Sequence, residues 1–222
     1  MDIAIIGGGA AGFMAAITAR KTNTKANVTI FERASKVLAK VEVTGGGRCN
    51  VTNSFAAITD LKQAYPRGDK LMKRLFNVFD YKDTYRWFEQ HGVPLVTQED
   101  ECVFPKAQDS HAIINCLTRQ AASLGVKISC RSQLKDIYHT ADGRFELHFG
   151  GGEKRYFDRV IIATGGSPHA RGLVYLARMG HEIESPVPSL FTFTIKDKAF
   201  CSLMGTCLLY TSDAADDLTR LD

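Results

Sequence analysis

The chain has 222 residues, enough for one large α/β domain or for one domain and part of another. Its 45% hydrophobic content is ordinary for a protein with a packed core, and its formal charge of +4 is spread over 28 basic residues, so no nucleic-acid partner is expected. No apolar run approaches the ~20 residues that span a bilayer, which argues against a membrane role.

Residues 2–6, Asp-Ile-Ala-Ile-Ile, form a short apolar run that reads as a strand. Gly7, Gly8, Gly9, Ala10, Ala11 and Gly12 follow at once, and then small and apolar helix formers. A strand that enters a glycine turn and leaves as a helix suits the diphosphate of a dinucleotide. Gly7 permits the turn, Gly9 lets the backbone approach the phosphates, and Gly12 lets helix and strand pack closely. The helix N-terminus adds free N–H groups and the positive end of its dipole. A second strand at residues 27–31 ends on Glu32, twenty residues after Gly12, where a carboxylate can accept ribose hydroxyls.

Gly45, Gly46, Gly47, Arg48, Cys49 and Asn50 then form a second glycine-rich loop, whose consecutive glycines expose backbone N–H groups and admit a flat ligand face. Helical spacing of Leu71, Leu75, Phe76 and Phe79, and of Tyr81, Tyr85 and Phe88 after an Asp80 cap, predicts two amphipathic helices. Trp87 is expected in the core and His91 on the surface, with Lys70, Lys73 and Arg74 on a solvated face. Residues 95–97 and 102–104 flank an acidic tip and read as a hairpin. Asp109 or Ser110 caps a further helix with Ile113, Leu117, Ala121 and Leu124 on its core side, closed by Gly125. A third parallel strand follows at residues 126–130.

Residues 134–157 alternate as three short strands joined by turns at 141–143 and 150–152, an antiparallel meander in place of a crossover helix. They lead to a buried strand that ends in Ala163, Thr164, Gly165 and Gly166, on the same sheet edge as the first loop. Ligands of open α/β sheets lie outside the carboxyl ends of the strands, so both turns can meet one cofactor. A short helix closes at Gly180, and residues 190–195 begin a new β element. The six cysteines form no C-x-x-C pair and no zinc-like grouping, so no metal site is expected, and the compartment expected is the reducing cytoplasm.

The segment Thr-Gly-Gly-Gly-Arg-Cys-Asn-Val-Thr-Asn at residues 44–53, with the first loop, the Ala-Thr-Gly-Gly of 163–166 and Pro188-Ser189-Leu190, resembles a family of bacterial FAD-dependent oxidoreductases called BaiN-like or aminoacetone-oxidase-like. The resemblance runs from residue 1 to about 206. It implies a Rossmann-like, two-dinucleotide-binding FAD domain with a parallel sheet and an antiparallel β-meander. The domain layout expected is 1–187 for that domain, 188–206 for the start of an inserted, mostly β second domain, and 207–222 for a non-native tail. Family members are about twice this length, so the chain is expected to be truncated, with FAD retention and activity of the fragment open.

On this reading Gly7, Gly9, Ala10, Ala11 and Gly12 hold the pyrophosphate and Glu32 the adenosine ribose. Arg33 lies over the adenine edge and Leu134 offers backbone contacts to the adenine. Residues 45–50 and Ala163, Thr164, Gly165 and Gly166 approach the ribityl and flavin end, with Arg48 stabilising negative charge on a reduced ring. Cys49 lacks a partner cysteine and is expected to pack rather than react. No residue is singled out as catalytic acid or base. The substrate expected is a small organic molecule, with NAD(P)H as a candidate electron donor. Two alternatives stand beside it: an NAD(P)-binding reductase without flavin, and a flavin-binding RNA-modification or scaffold protein.

Overall fold

The computed structural model describes residues 1–56, 58–167, 169–187 and 199. Residues Met1–Val187 form one unit. The domain boundaries expected at 188–206 and 207–222, and the β element at 190–195, lie outside the described residues. The elements are β1 (Asp2–Ile6), α1 (Ala10–Thr22), β2 (Asn27–Phe31), α2 (Ala39–Val43), β3 (Thr52–Asn53), α3 (Leu61–Ala64), α4 (Asp69–Phe76), α5 (Tyr81–Gln90), β4 (Leu95–Thr97), β5 (Cys102–Pro105), α6 (His111–Ser123), β6 (Lys127–Ser129), β7 (Leu134–His139), β8 (Phe145–Phe149), β9 (Lys154–Phe157), β10 (Arg159–Ile162) and α7 (Val174–Arg178).

Four parallel strands make the central sheet in the order β10-β1-β2-β6. Side chains on a strand alternate between faces, and β1 shows what that does here. Ile3 and Ile5 pack with Phe13, Ala16 and Ile17 of α1 and with Ile113 and Leu117 of α6. Ala4 and Ile6 face the other way, onto Ile137, Leu147, Phe149 and Phe157 of the meander. The sheet is thus covered by helices on one side and by a second, antiparallel sheet, β7-β8-β9, on the other. Phe31 keys the second layer, its ring 4.7 Å from that of Phe149 and 5.6 Å from that of Phe157. Burying a phenylalanine of this kind contributes roughly 1.5–3 kcal/mol.

Two expectations are corrected, at β10 and α4, and two are sharpened. The hairpin β4-β5 gains a third strand, because Thr52 and Asn53 pair antiparallel with Val103 and Cys102. β10 is not buried: it lies at the outside of the described sheet, so Ile161 is 38% exposed while Val160 and Ile162 pack on the meander side. α4 leaves Leu71 and Leu75 exposed, and Phe79 lies beyond its end. Among the described residues Phe76 of that stripe joins an aromatic group with Phe55, Tyr65 and Tyr81. At α6 it is Asp109 whose carboxylate accepts from the His111 N–H of the first turn, while the Ser110 hydroxyl donates to the Glu42 carbonyl.

The caps of α5 are as expected. Asp80 accepts from the Asp83 N–H at 2.9 Å while Asp83 accepts from the Asp80 N–H at 2.9 Å, a reciprocal capping box. Trp87 packs half-buried against the core, and His91 stacks on its ring at 4.2 Å. No helix of the described residues is long and apolar enough to cross a membrane.

Candidate functional site

The glycines of the first loop differ in what surrounds them. Gly7 has φ +113°, and a Cβ there would stand 2.4 Å from the Ala163 carbonyl oxygen. Its N–H donates to the Phe31 carbonyl at 2.8 Å, and the Ala163 N–H donates to the Ile6 carbonyl at 2.7 Å. The ends of β1, β2 and β10 are therefore drawn together at one point. A Cβ on Gly12 would stand 1.9 Å from the Gly7 carbonyl oxygen, so the start of α1 lies directly on the loop. Gly9 has no heavy atom within 4 Å of where its Cβ would be. That open space faces the first turn of α1, which has no acidic residue, and whose N–H groups at Ala10, Ala11 and Gly12 have no intrahelical acceptor.

Glu32 closes the loop from the side. One carboxylate oxygen accepts from the Gly8 N–H at 2.8 Å and the other from the Ala34 N–H at 2.8 Å. Each oxygen keeps a further lone pair for a hydroxyl donor. The main chain around it is tied to the segment after β6: Glu32 N–H to Ser129, Ser132 N–H to Glu32, and Arg131 N–H to Ala34, all at 2.8–2.9 Å. Leu134 comes two residues after Ser132, at the mouth of the meander opposite Phe149, its side chain packed on the second core. Arg33 is exposed and has no hydrogen bond or ion pair among the described residues.

The second loop takes the left-handed conformation at four positions: Gly45, Gly46 and Gly47 have φ +59°, +67° and +85°, and Cys49 has +66°, while Arg48 between them has φ −90°. A Cβ on Gly45 would meet the Asn50 nitrogen and the Phe104 ring at 2.8 Å, whereas Gly46 faces open space. Arg48 is committed to the loop itself. Its Nε donates to the Gly45 carbonyl at 3.1 Å, Nη1 to Gln108 at 3.3 Å, and its guanidinium lies 4.3 Å over the Phe104 ring. Cys49 is buried, and desolvation pushes its thiol up to about 11, so it packs as a neutral side chain. Asn50 is exposed and leads into β3. Beyond β3 lies a cleft of about 260 Å³ lined by residues that include Thr52, Tyr81, Tyr85 and Val103.

Thr164, Gly165 and Gly166 form an exposed turn after β10, with Gly165 at φ +72°. The first loop and this turn are thus in direct contact, as their positions at the end of parallel neighbours imply. Three contributors were not legible in the motifs. Gly8 is buried, with room for no Cβ between Val37 and Glu32. Leu38, at φ +58°, donates its N–H to the Gly8 carbonyl at 2.7 Å and so pins α2 to the first loop. Lys40 extends its ammonium toward Gly165. Only the adjacency of Gly8 to the motif glycines hinted at any of these.

Residues 1–184 match the family described as the HI0933-like protein Rossmann domain. The 3-dehydro-bile acid delta(4,6)-reductase of Clostridium scindens is 27% identical over 209 residues, covering 91% of this chain and 50% of that protein. The ribosomal RNA dihydrouridine synthase of Haemophilus influenzae is 26% identical over 221 residues, covering 95% of this chain and 53% of that one. The chain spans about half the length of the curated relatives it matches. Among solved structures, the 3-ketosteroid-delta4-(5alpha)-dehydrogenase of Rhodococcus jostii in complex with 4-androstene-3,17-dione shares the fold, with a TM-score of 0.56 at 17% identity over 74% of this chain and 46% of that one. With most of its length matched, from the first glycine loop through α7, the chain belongs to the HI0933-like family, the BaiN-like group that its second glycine loop resembles.

Proposed function

We propose that this chain is the nucleotide-binding part of an FAD-dependent oxidoreductase. The observation that carries this is the open space at Gly9, beside the unpartnered N–H groups of α1, in a loop whose Gly7 touches a second glycine turn. A single nicotinamide nucleotide needs only the first motif. A second bare turn and the open face at Gly46 extend the cradle in the way a longer, flat ligand requires.

On this reading the α1 amides at Ala10, Ala11 and Gly12 bind the diphosphate. Glu32 accepts the adenosine ribose hydroxyls while keeping its bonds to the loop amides. Arg33 and the main chain of Leu134 border the adenine. Residues 45–50 and 163–166 flank the ribityl and ring end, where Arg48 acts by holding the loop in shape. FAD supplies the hydride chemistry when bound, and the protein orients it and excludes side reactions. Cys49, neutral and buried, takes no part in electron transfer.

The two curated relatives, a 3-dehydro-bile acid delta(4,6)-reductase and a ribosomal RNA dihydrouridine synthase, carry names that share a chemistry, the addition of hydrogen to a carbon–carbon double bond. We infer the same substrate class here, with NAD(P)H as the electron donor. RNA is a second form of that substrate, favoured by one observation. Residues 62–82 hold six basic and two acidic side chains, a net +4 equal to that of the whole chain. That run lies over α3 and α4 and is bounded by Asp60 and Asp83, so its excess of positive charge is local.

Purified chain titrated with FAD and with NAD separates the flavin reading from the flavin-free one, because bound flavin absorbs in the visible. A preparation that retains no yellow colour once unbound FAD is removed by gel filtration sinks the proposal. Anaerobic reduction with NADH against NADPH then identifies the donor. RNA binding that weakens steeply with salt supports the RNA form, and binding that does not leaves the small molecule.

A further inference from the structure

α2 sets one charge beside the cofactor cradle that neither loop motif announces. The Lys40 ammonium lies 3.8 Å from where a Cβ on Gly165 would stand, next to the bare turn after β10. Its placement is fixed from several sides. The Leu38 N–H bonds the Gly8 carbonyl, Val41 is buried in the core, and the Ser110 hydroxyl holds the Glu42 carbonyl. The other charges on and beside α2 are engaged among the described residues. Lys36 pairs with Glu42, His111 lies 3.9 Å from Glu42, and Arg48 is bound to its own loop and to Gln108. Glu32 spends its oxygens on the Gly8 and Ala34 amides. Lys40 has no hydrogen bond or ion pair among the described residues.

An ammonium without a counter-ion, beside a turn that touches the first glycine loop, is a point charge suited to a phosphate. The loop contributes dipoles and amides but no full positive charge, and the first turn of α1 carries no basic residue. We propose that Lys40 binds the diphosphate of the dinucleotide ligand, completing the charge balance that the α1 N-terminus begins. The identity of that ligand as FAD rests on the function proposed above, whereas the diphosphate is common to FAD and NAD.

The test uses the full chain with Lys40→Met, which keeps the stem and removes the charge, and Lys40→Arg, which keeps the charge. FAD and NAD are titrated at two salt concentrations, with melting temperatures taken without ligand to confirm folding. Lys40→Met is expected to weaken the bound dinucleotide roughly tenfold and to flatten the salt dependence of binding, while Lys40→Arg recovers most of the affinity. Unchanged affinity in Lys40→Met overturns the assignment. So does a loss with the salt dependence intact, since that marks a merely structural role. If FAD fails to bind but NAD binds through Lys40, the flavin reading falls and this assignment stands. If neither binds, both fall.

Discussion

Gly9→Ala and Gly12→Ala make the same chemical change three residues apart, and the structure assigns them opposite consequences. At Gly12 the added carbon would stand 1.9 Å from the Gly7 carbonyl oxygen, against an ordinary contact of about 3.4 Å. Both sides of that clash are main chain. Gly7 is held by its bond to the Phe31 carbonyl and by its contact with Ala163, so neither α1 nor the loop can yield alone. Overpacking of this kind costs about 3 kcal/mol. The better helix propensity of alanine returns about 1 kcal/mol. The net loss of about 2 kcal/mol lowers Tm by roughly 4–8 °C in a domain of this size. At Gly9 nothing lies within 4 Å, and φ of −87° is open to alanine. The fold therefore keeps its Tm within about 2–3 °C, with under ~1 kcal/mol lost at the N-cap, but the methyl fills the cradle. Melts without ligand, followed by FAD titration, separate the two. Gly12→Ala melting with the wild type would refute the close-packing argument. Gly9→Ala binding FAD at full affinity would refute the placement of the diphosphate.

Further outcomes follow from single side chains. In the native chain at pH 8, thiol labelling is expected to reach exposed Cys130 and to spare buried Cys49 and Cys116 until denaturant is added. Burial raises the Cys49 thiol from 9.0 to about 11, so its contribution to stability is whole below pH 9 and is lost as pH rises toward about 11, readable in alkaline melts of wild type against Cys49→Ala. His148, then Lys154 and Tyr156, hydrogen-bond Glu146 and hold its carboxyl down at about 2. Its contribution is present above the ordinary 4.5 and lost as pH falls through about 2, so the Tm gap between wild type and Glu146→Gln should close across that range. Asp80→Ala removes the capping box of α5 and is expected to cost about 1 kcal/mol, a Tm drop of roughly 2–4 °C.

Much of the fold could be read from the chain because its rules are local. The four central strands, α1, α6 and the meander announce themselves by periodicity and by glycine at their ends. The shifts came where tertiary pairing decides. β3 has two residues, too few for any period, and exists because Val103 and Cys102 offer their edge. β10 has the apolar composition of an interior strand, yet composition carries no information about whether a neighbour lies beyond it. α4 shows the converse, since its regular apolar spacing reads as an amphipathic helix whose apolar side the described residues leave largely uncovered.

The site divides the same way. Motif glycines are legible because each answers a steric demand that only glycine meets, as the 2.4 Å and 1.9 Å approaches at Gly7 and Gly12 show. Leu38 breaks that logic. A leucine at φ +58° costs about 1–2 kcal/mol of backbone strain, and a propensity argument would place glycine there. Its side chain is only 1% exposed, however, and truncating a buried leucine costs about 2.7–5 kcal/mol. Burial outweighs strain, so leucine is tolerated while its N–H secures α2 to Gly8. That bond fixes where α2 begins, and Lys40 follows two residues later. The position of the ammonium thus depends on a strained leucine and a hydrogen bond to a buried glycine, neither of which a linear motif records.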